Sequence, residues 1–248
     1  MLDLTFLQSL LPDGRVRLFD ETVSTNRDAR DWLLDGAQHG DLVLASRQSG
    51  GRGRLGRSFA SPEGGLYMSL ILKTDLAPGC VTTLCAVAVR RAILQLTGLE
   101  TDIKWVNDLL LDGKKVCGIL CENVWCGSES LGMIAGIGVN VFGDDLPQEL
   151  RAIARSLYPQ SAASPISMEH LAALIRQEIL AGLPRIPAHM DEYRRHCITL
   201  GKEVYWLEND QRHTGMALHA QDDGALVIRD FSGQTHCIAA GEVSIRPV

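Results

Sequence analysis

Apolar positions along this chain follow two periods. In the first third they form short runs: Arg15–Asp20 reads as a strand, Asp41–Ser46 as another, and Gly65–Leu72 as a third long enough to cross a sheet. Between the first two, Ser24 or Thr25 stands at an N-cap position before a helix reaching Asp35. That helix has Trp32 and Leu33 on its inner face and Gly36 past its end. From Val81 to Leu96 the period lengthens, with Leu84, Ala88, Ala92 and Leu96 at helical spacing, which predicts a long core helix. Thr101–Val106 returns as a strand. Asp112-Gly113 between apolar arms predicts a tight hairpin, because glycine takes a positive φ without strain. Lys115–Val124 and Gly132–Val141 follow as paired strands. Leu146–Cys197 reads as helical, broken at Pro159, Pro165, Pro184 and Pro187. Beyond Gly201 the character changes to short strands separated by Asn209-Asp210, Asp222-Asp223-Gly224 and Ser232-Gly233, the pattern of a small β-barrel. The expected division is therefore one large domain over 1–198 and a small β domain over 199–248.

Composition narrows the class. The chain has 248 residues, 46% hydrophobic and 22% charged, which suits a globular protein with a sizeable core. A net charge of -6 excludes a whole-surface nucleic-acid binder, so a cluster of arginines at 52, 54 and 57 stands out against an acidic background. Seven cysteines, several inside apolar runs, read as small buried hydrophobes in a reducing cytoplasm; no paired C-x-x-C spacing points to structural zinc. The amino terminus lacks a basic n-region, and no apolar run is expected to reach the length that crosses a bilayer.

Four constellations carry candidate chemistry. Gln48-Ser-Gly-Gly-Arg52-Gly-Arg54-Leu-Gly-Arg57 packs glycines and planar, permanently charged guanidinium groups into a loop after a strand, as needed to close over an anion such as a nucleotide; a solvated basic turn is the bland alternative. Lys104-Trp105-Val106-Asn107-Asp108 places a lysine at a strand end, with Asn107 or Asp108 available to a divalent ion; an exposed lysine before a turn has the same signature. Ser24-Thr25-Asn26 is either an N-cap or a set of polar groups that grip a ring carbonyl. In Ala135-Gly-Ile-Gly-Val-Asn-Val141, glycines at 136 and 138 leave one strand face bare, for a flat ligand or for close packing.

Taken in order, S-T-N, Q-x-x-G-R-G-R-x-G-R, S-P-x-G-G-L-Y, K-W-x-N-D, K-V-x-G-I-L-x-E, G-I-G-V-N and G-E-V-S-I-R-P resemble the biotin protein ligases over roughly residues 18–248. The resemblance is to their short form, without an N-terminal DNA-binding domain. It implies an α+β fold: a mixed, mostly antiparallel sheet with helices, as in class II aminoacyl-tRNA synthetases, over 1–198, and an SH3-like barrel over 199–248. It implies an ATP-dependent, AMP-forming ligase that makes biotinoyl-5′-AMP with Mg²⁺ and passes the biotinoyl group to a lysine of a biotin carboxyl carrier protein, an acetyl-CoA carboxylase subunit. By position, Lys104, Arg52 and Arg54 would be catalytic. Biotin would contact Ser24, Thr25, Asn26, Gln48, Gly51, Arg52, Gly53, Arg54, Lys104 and Gly118. The nucleotide would contact Arg54, Arg57, Phe59, Asn107, Asn140 and Arg246, with no protein metal cage. Phe59 stands where the pattern often has Trp and would stack on adenine with a smaller face; Val106 replaces the Pro of K-W-P-N-D. A lipoate or octanoate ligase or transferase shares the expected architecture but lacks the arginine-rich loop. A biotin-responsive repressor would need a pair of helices before Ser24, and a P-loop protein would need G-x-x-x-x-G-K-[ST]; neither is read here. The expected molecule is a cytoplasmic monomer or homodimer that binds neither nucleic acid nor membrane.

Overall fold

The computed structural model of the chain describes residues 2–143, 146–158, 166–208, 211–239 and 243–245. Seven strands form one sheet in the order β1-β2-β3-β7-β6-β5-β4. They are β1 (Val16–Thr22), β2 (Leu42–Gln48), β3 (Gly65–Leu72), β4 (Asp102–Lys104), β5 (Asp108–Leu111), β6 (Lys114–Cys126) and β7 (Glu129–Asn140). Only β1 and β2 pair in parallel; the rest is antiparallel, so the fold is mixed α+β. The strand alternation decides which side each residue serves. Leu42, Leu44, Leu66, Met68, Leu70 and Leu72 join the main core, while Val43 and Ile71 turn to the opposite face beneath α2 (Thr25–Leu34).

On the main face lies α3 (Pro78–Thr97). It starts with Pro78 in its first turn and stops where Gly98 takes φ 72° and its N–H reaches Leu94. By length and composition α3 could cross a membrane, which corrects the expectation that no apolar run reaches that length. Here it is the core helix, with Val81, Leu84, Cys85, Val89 and Ala92 all buried. Each leucine or valine so buried contributes about 1.5–3 kcal/mol, so this helix is a substantial part of the main core. α4 (Met168–Gly182) packs beside it, and α5 (Met190–His196) crosses nearby.

The leading segment, unassigned from sequence, holds α1 (Leu4–Leu10), capped by the Asp3 side chain accepting from the Phe6 N–H. A second correction concerns 146–158, expected to be helical. It contains one 3-10 turn, Gln148–Leu150, and then runs extended: Ala154 bridges to Lys115 and Tyr158 to Phe142. Residues Pro159 and Pro165 lie outside the described residues. The hairpin at Asp112-Gly113 has φ of 50° and 76°, the doubly positive pair that a two-residue hairpin turn requires.

The carboxy-terminal part forms a five-stranded antiparallel sheet, ordered β11-β10-β9-β8-β12, compatible with the small SH3-like domain. Its strands are β8 (Glu203–Glu208), β9 (Gln211–Ala220), β10 (Leu226–Asp230), β11 (Thr235–Ile238) and β12 (Val243–Ile245). The expected Asn209-Asp210 turn falls outside the described residues. Trp206, Ala217, Leu226 and Ile228 of this sheet continue the main core.

Candidate functional site

A cavity of about 180 Å³ opens over the middle of β6 and β7, roofed by the Gly/Arg loop. Its polar end is built at the β1–α2 corner. Ser24 is the N-cap residue of α2, yet its side chain makes no capping bond, so the hydroxyl is not spent on the helix. The cap comes instead from Gln48, whose Oε1 accepts from the Thr25 N–H at 2.9 Å. Ser69 donates to Asn26 Oδ1 at 2.7 Å and lies 2.8 Å from Thr25 Oγ1. A hydroxyl has one proton, and Asn26 Oδ1 can only accept. Thr25 Oγ1 also lies 3.1 Å from Gln48 Oε1, which can only accept, so its one proton goes to Ser69 or to Gln48 and its lone pairs stay open to a donor in the cavity. Gln48 Nε2 donates to Ser61 Oγ at 2.9 Å, and Ser61 Oγ donates to the Phe59 carbonyl at 3.0 Å, so the network returns to the loop.

The loop itself is a small irregular hairpin. Gln48 bridges to Ser61 and Arg52 to Ser58, while the Gly53 N–H donates to the Arg57 carbonyl at 2.7 Å and the Phe59 N–H to the Gly51 carbonyl at 2.9 Å. Leu55 turns the chain with φ 56°.

The bare strand faces accept two side chains. A Cβ on Gly136 would collide with Asn26 Oδ1, and Cβ atoms on Gly138 and Gly118 would come within 2.5 and 2.8 Å of the Phe59 ring. Phe59 thus lies on the glycine platform, with Lys115 Nζ 5.5 Å from its ring centre. Asn26 lines the cavity, but its amide is committed to protein, donating to Glu122 Oε2 at 2.8 Å and to the Leu120 carbonyl at 3.3 Å.

The cationic end gathers Lys104, Lys115 and Arg54. Lys115 pairs with Asp108 at 2.7 Å, and Arg54 Nη1 donates to Asn107 Oδ1 at 3.4 Å. Asn107 Nδ2 donates to the Ile119 carbonyl at 2.9 Å, which locks its orientation. Burial pushes the Arg54 pKa down and the Asp108 carboxylate opposes that shift, so the guanidinium stays charged in a partly dehydrated setting. Its Cζ sits 5.9 Å from the Trp105 ring centre. The peptide joining Trp105 and Val106 is cis.

Of the residues expected from sequence, Ser24, Thr25, Asn26, Gln48, Arg52 and Gly53 line this one cavity, as do Arg54, Arg57, Phe59, Lys104, Asn107 and Gly118. Gly51 sits behind the wall, where a Cβ would strike the Phe59 carbonyl and the Ser61 hydroxyl. Asn140 lies in a separate small hollow with Pro62 and Phe142, donating to the Arg155 carbonyl at 3.2 Å. Arg246 lies outside the described residues. Sequence reasoning missed Lys115 as a cavity residue. The β5–β6 register shifts between Leu109 and Leu110, which lets Lys115 and Gly118, three apart, serve one side. Among the described residues no group of three or more His, Cys, Asp or Glu could hold a metal.

Residues 18–140 match the profile of the Biotin/lipoate A/B protein ligase family. The bifunctional ligase/repressor BirA of Bacillus spizizenii is 35% identical, over 89% of this chain and 71% of that protein. The biotin–[acetyl-CoA-carboxylase] ligase of Paracoccus denitrificans is 30% identical, over 90% of this chain and 97% of its own length. Among solved structures, biotin protein ligase from Aquifex aeolicus, in complex with biotin and ATP, superposes with a TM-score of 0.79 at 26% identity, covering 94% of this chain and 99% of the other.

Proposed function

The chain belongs to the biotin/lipoate A/B protein ligase family, and from that premise we propose that it is a biotin protein ligase whose cavity holds biotin and ATP end to end. The observation that carries this reading is a single cavity joining the Ser24, Thr25 and Gln48 end to the Lys104, Lys115 and Arg54 end. The first suits the ureido ring of biotin, a compact group with both donors and an acceptor. The second suits two anions that repel each other, the biotin carboxylate and the α-phosphate.

In the first step a carboxylate oxygen attacks the α-phosphorus, the bond to the bridging oxygen breaks, and pyrophosphate leaves with the electron pair. Lys104 and Lys115 offset the charge that gathers on the phosphoryl oxygens, and Arg54, anchored through Asn107, adds a third cation. In the second step a lysine amine of the carrier attacks the acyl carbon, loses a proton and releases AMP. Asp108, the cavity carboxylate, is already paired with Lys115. The donors present thus fit a Mg²⁺ ion held mainly by phosphate oxygens, where it would neutralise leaving-group charge. Phe59 over Gly118 and Gly138 is assigned to the wall beside the acyl chain rather than to adenine. The loop excludes water from the mixed anhydride. Asn140 and Arg246 are left without an assigned contact. The carrier is a biotin carboxyl carrier protein, and the seven free cysteines fit a reducing cytoplasm.

The test is pyrophosphate release from MgATP with biotin, lipoate or octanoate, with and without a purified carrier domain. A biotin-dependent burst that turns over only with carrier supports the reading. A response to lipoate or octanoate alone would move the chain to the other branch of its family.

A further inference from the structure

Glu122 stands on β6 between two parts of the site that the proposed reaction treats separately. Its Oε1 pairs with Arg52 of the Gly/Arg loop at 3.1 Å, and its Oε2 accepts from Asn26 Nδ2 at 2.8 Å. Asn26 is itself fixed by Ser69, which touches Thr25. One carboxylate therefore connects the lid to the polar floor of the cavity. On its far side lies a second hollow of about 340 Å³, lined by Val23, Arg27, Arg30, Glu122 and Asn123 among others. Ser24, Asn26 and Arg52 belong to both linings, whereas Glu122 belongs only to the second. The Arg52–Glu122 pair is thus part of the partition between the two spaces.

We propose that Glu122 is a positioning residue that latches the Gly/Arg loop over the acyl-adenylate through Arg52, with its own rotamer set by Asn26. The inference rests on the ligase reading and extends it to retention of the intermediate. Side chains of Arg52 and Glu122 are 57% and 32% exposed. A pair so open to water ordinarily contributes little, partly because two long side chains must be ordered. Here the second oxygen is already held by a buried amide, so less side-chain freedom remains to lose on pairing. With the pair broken, the partition opens, and water or a foreign amine reaches the anhydride from the second hollow.

The experiment loads the protein with biotin and MgATP, removes free ligand, and follows both bound biotinoyl-AMP and labelling of polylysine. E122Q should release the intermediate about fivefold faster, a barrier change of about 1 kcal/mol in all, with polylysine labelling rising in step. E122D, which keeps the charge, should stay within about twofold of the parent. Release from the parent should quicken with salt, and release from E122Q should not. R52Q tests the same contact from the loop side; adding E122Q to it should bring no further leak. If E122Q fails to fold, R52Q against the parent, with its salt dependence, decides the matter. Retention by E122Q equal to the parent's, or an equal leak from E122D and E122Q, overturns the latch while leaving the ligase intact. A parent that forms no biotinoyl-AMP overturns both.

Discussion

Lys104 closes β4 and points its charge into the same cavity as Lys115, which reaches it from the next hairpin. The two differ in what holds them. Lys115 shares its charge with Asp108 at 2.7 Å, so part of its field is already spent. Lys104 should therefore be the stronger stabiliser of the forming phosphoryl charge. Lys104→Ala is expected to slow adenylate formation by about a hundredfold, the usual loss for one charge stabiliser, while biotin affinity changes far less. Single-turnover pyrophosphate release measures the first quantity and equilibrium titration the second; an unchanged burst rate would remove Lys104 from the chemistry. The lysine was legible in the sequence because K-W-x-N-D is a local pattern. Lys115 was not, because its facing depends on a bulge that no local pattern announces. Asn26 and Phe59 illustrate a further limit. Residue type put both at a binding site, but only packing reveals that the Asn26 amide faces protein and that the Phe59 ring covers glycine backbone.

Elements with a strong period were read almost to their ends: β3 falls on Gly65–Leu72 and α3 extends the expected helix by a few residues. The stretch 146–158 reads as helical because Leu146, Leu150, Ile153 and Leu157 fall at helical spacing, yet Leu146 and Leu157 are buried while Ile153, on the same would-be face, is exposed. Its extended path is fixed by pairing with Lys115 and Phe142, both distant in sequence. Helix packing also creates a pH dependence. His189, at the start of α5, meets Thr83 of α3 at 2.8 Å through Nε2, while its buried Nδ1 has no hydrogen-bond partner among the described residues. Thr83 can give its proton to the Gly79 or Cys80 carbonyl, so Nε2–H is the donor and Nδ1 a bare lone pair. Protonating Nδ1 would bury a charge without an acceptor. Burial first, then Arg91 and Arg194, lower its pKa to about 4, against the opposing pull of Asp222 and Glu192. The unfolded chain titrates near 6.5 and so binds more protons below that value. Stability is then complete above about pH 6.5 and falls as pH drops toward 4, by about 1–2 kcal/mol at pH 5. Denaturant midpoints at pH 7 and 5 should separate accordingly for the parent and draw together in His189→Gln; equal slopes in both proteins would place the acid sensitivity elsewhere.

Across the whole molecule, the small carboxy-terminal sheet bears directly on the cavity. Trp105, a cavity residue, donates its Nε1–H to the Gly224 carbonyl in the β9–β10 turn at 2.9 Å, and its backbone N–H goes to Thr199 Oγ1 at 3.0 Å. Tyr193 on α5 donates to the next carbonyl, Val106, at 3.1 Å. The turn is in turn seated against α3. Gly224 has φ 88°, and a Cβ there would lie 2.8 Å from the Gly79 carbonyl. Arg194 holds the same turn through the Ala220 carbonyl and the Asp222 carboxylate. The turn signal at Asp222-Asp-Gly224 was legible from composition, but its partner lies over a hundred residues away, and a long-range contact leaves no mark in either segment. The arrangement makes a remote substitution informative. Gly224→Ala is strained in φ and crowded by Gly79, so the turn must shift, and with it the Gly224 carbonyl that holds Trp105. Losing that hydrogen bond should loosen the Lys104–Asp108 segment and the Trp105 ring beneath Arg54, slowing adenylate formation roughly threefold to tenfold. Trp105→Phe, which keeps an aromatic ring but removes the donor, should move the rate in the same direction. Because Gly224 is not a cavity residue, a merely structural effect would appear as a lower unfolding midpoint with an unaltered rate at temperatures where the variant is folded. That result would leave the carboxy-terminal sheet as packing support; a slowed rate in fully folded protein makes it part of the machinery that aims Lys104.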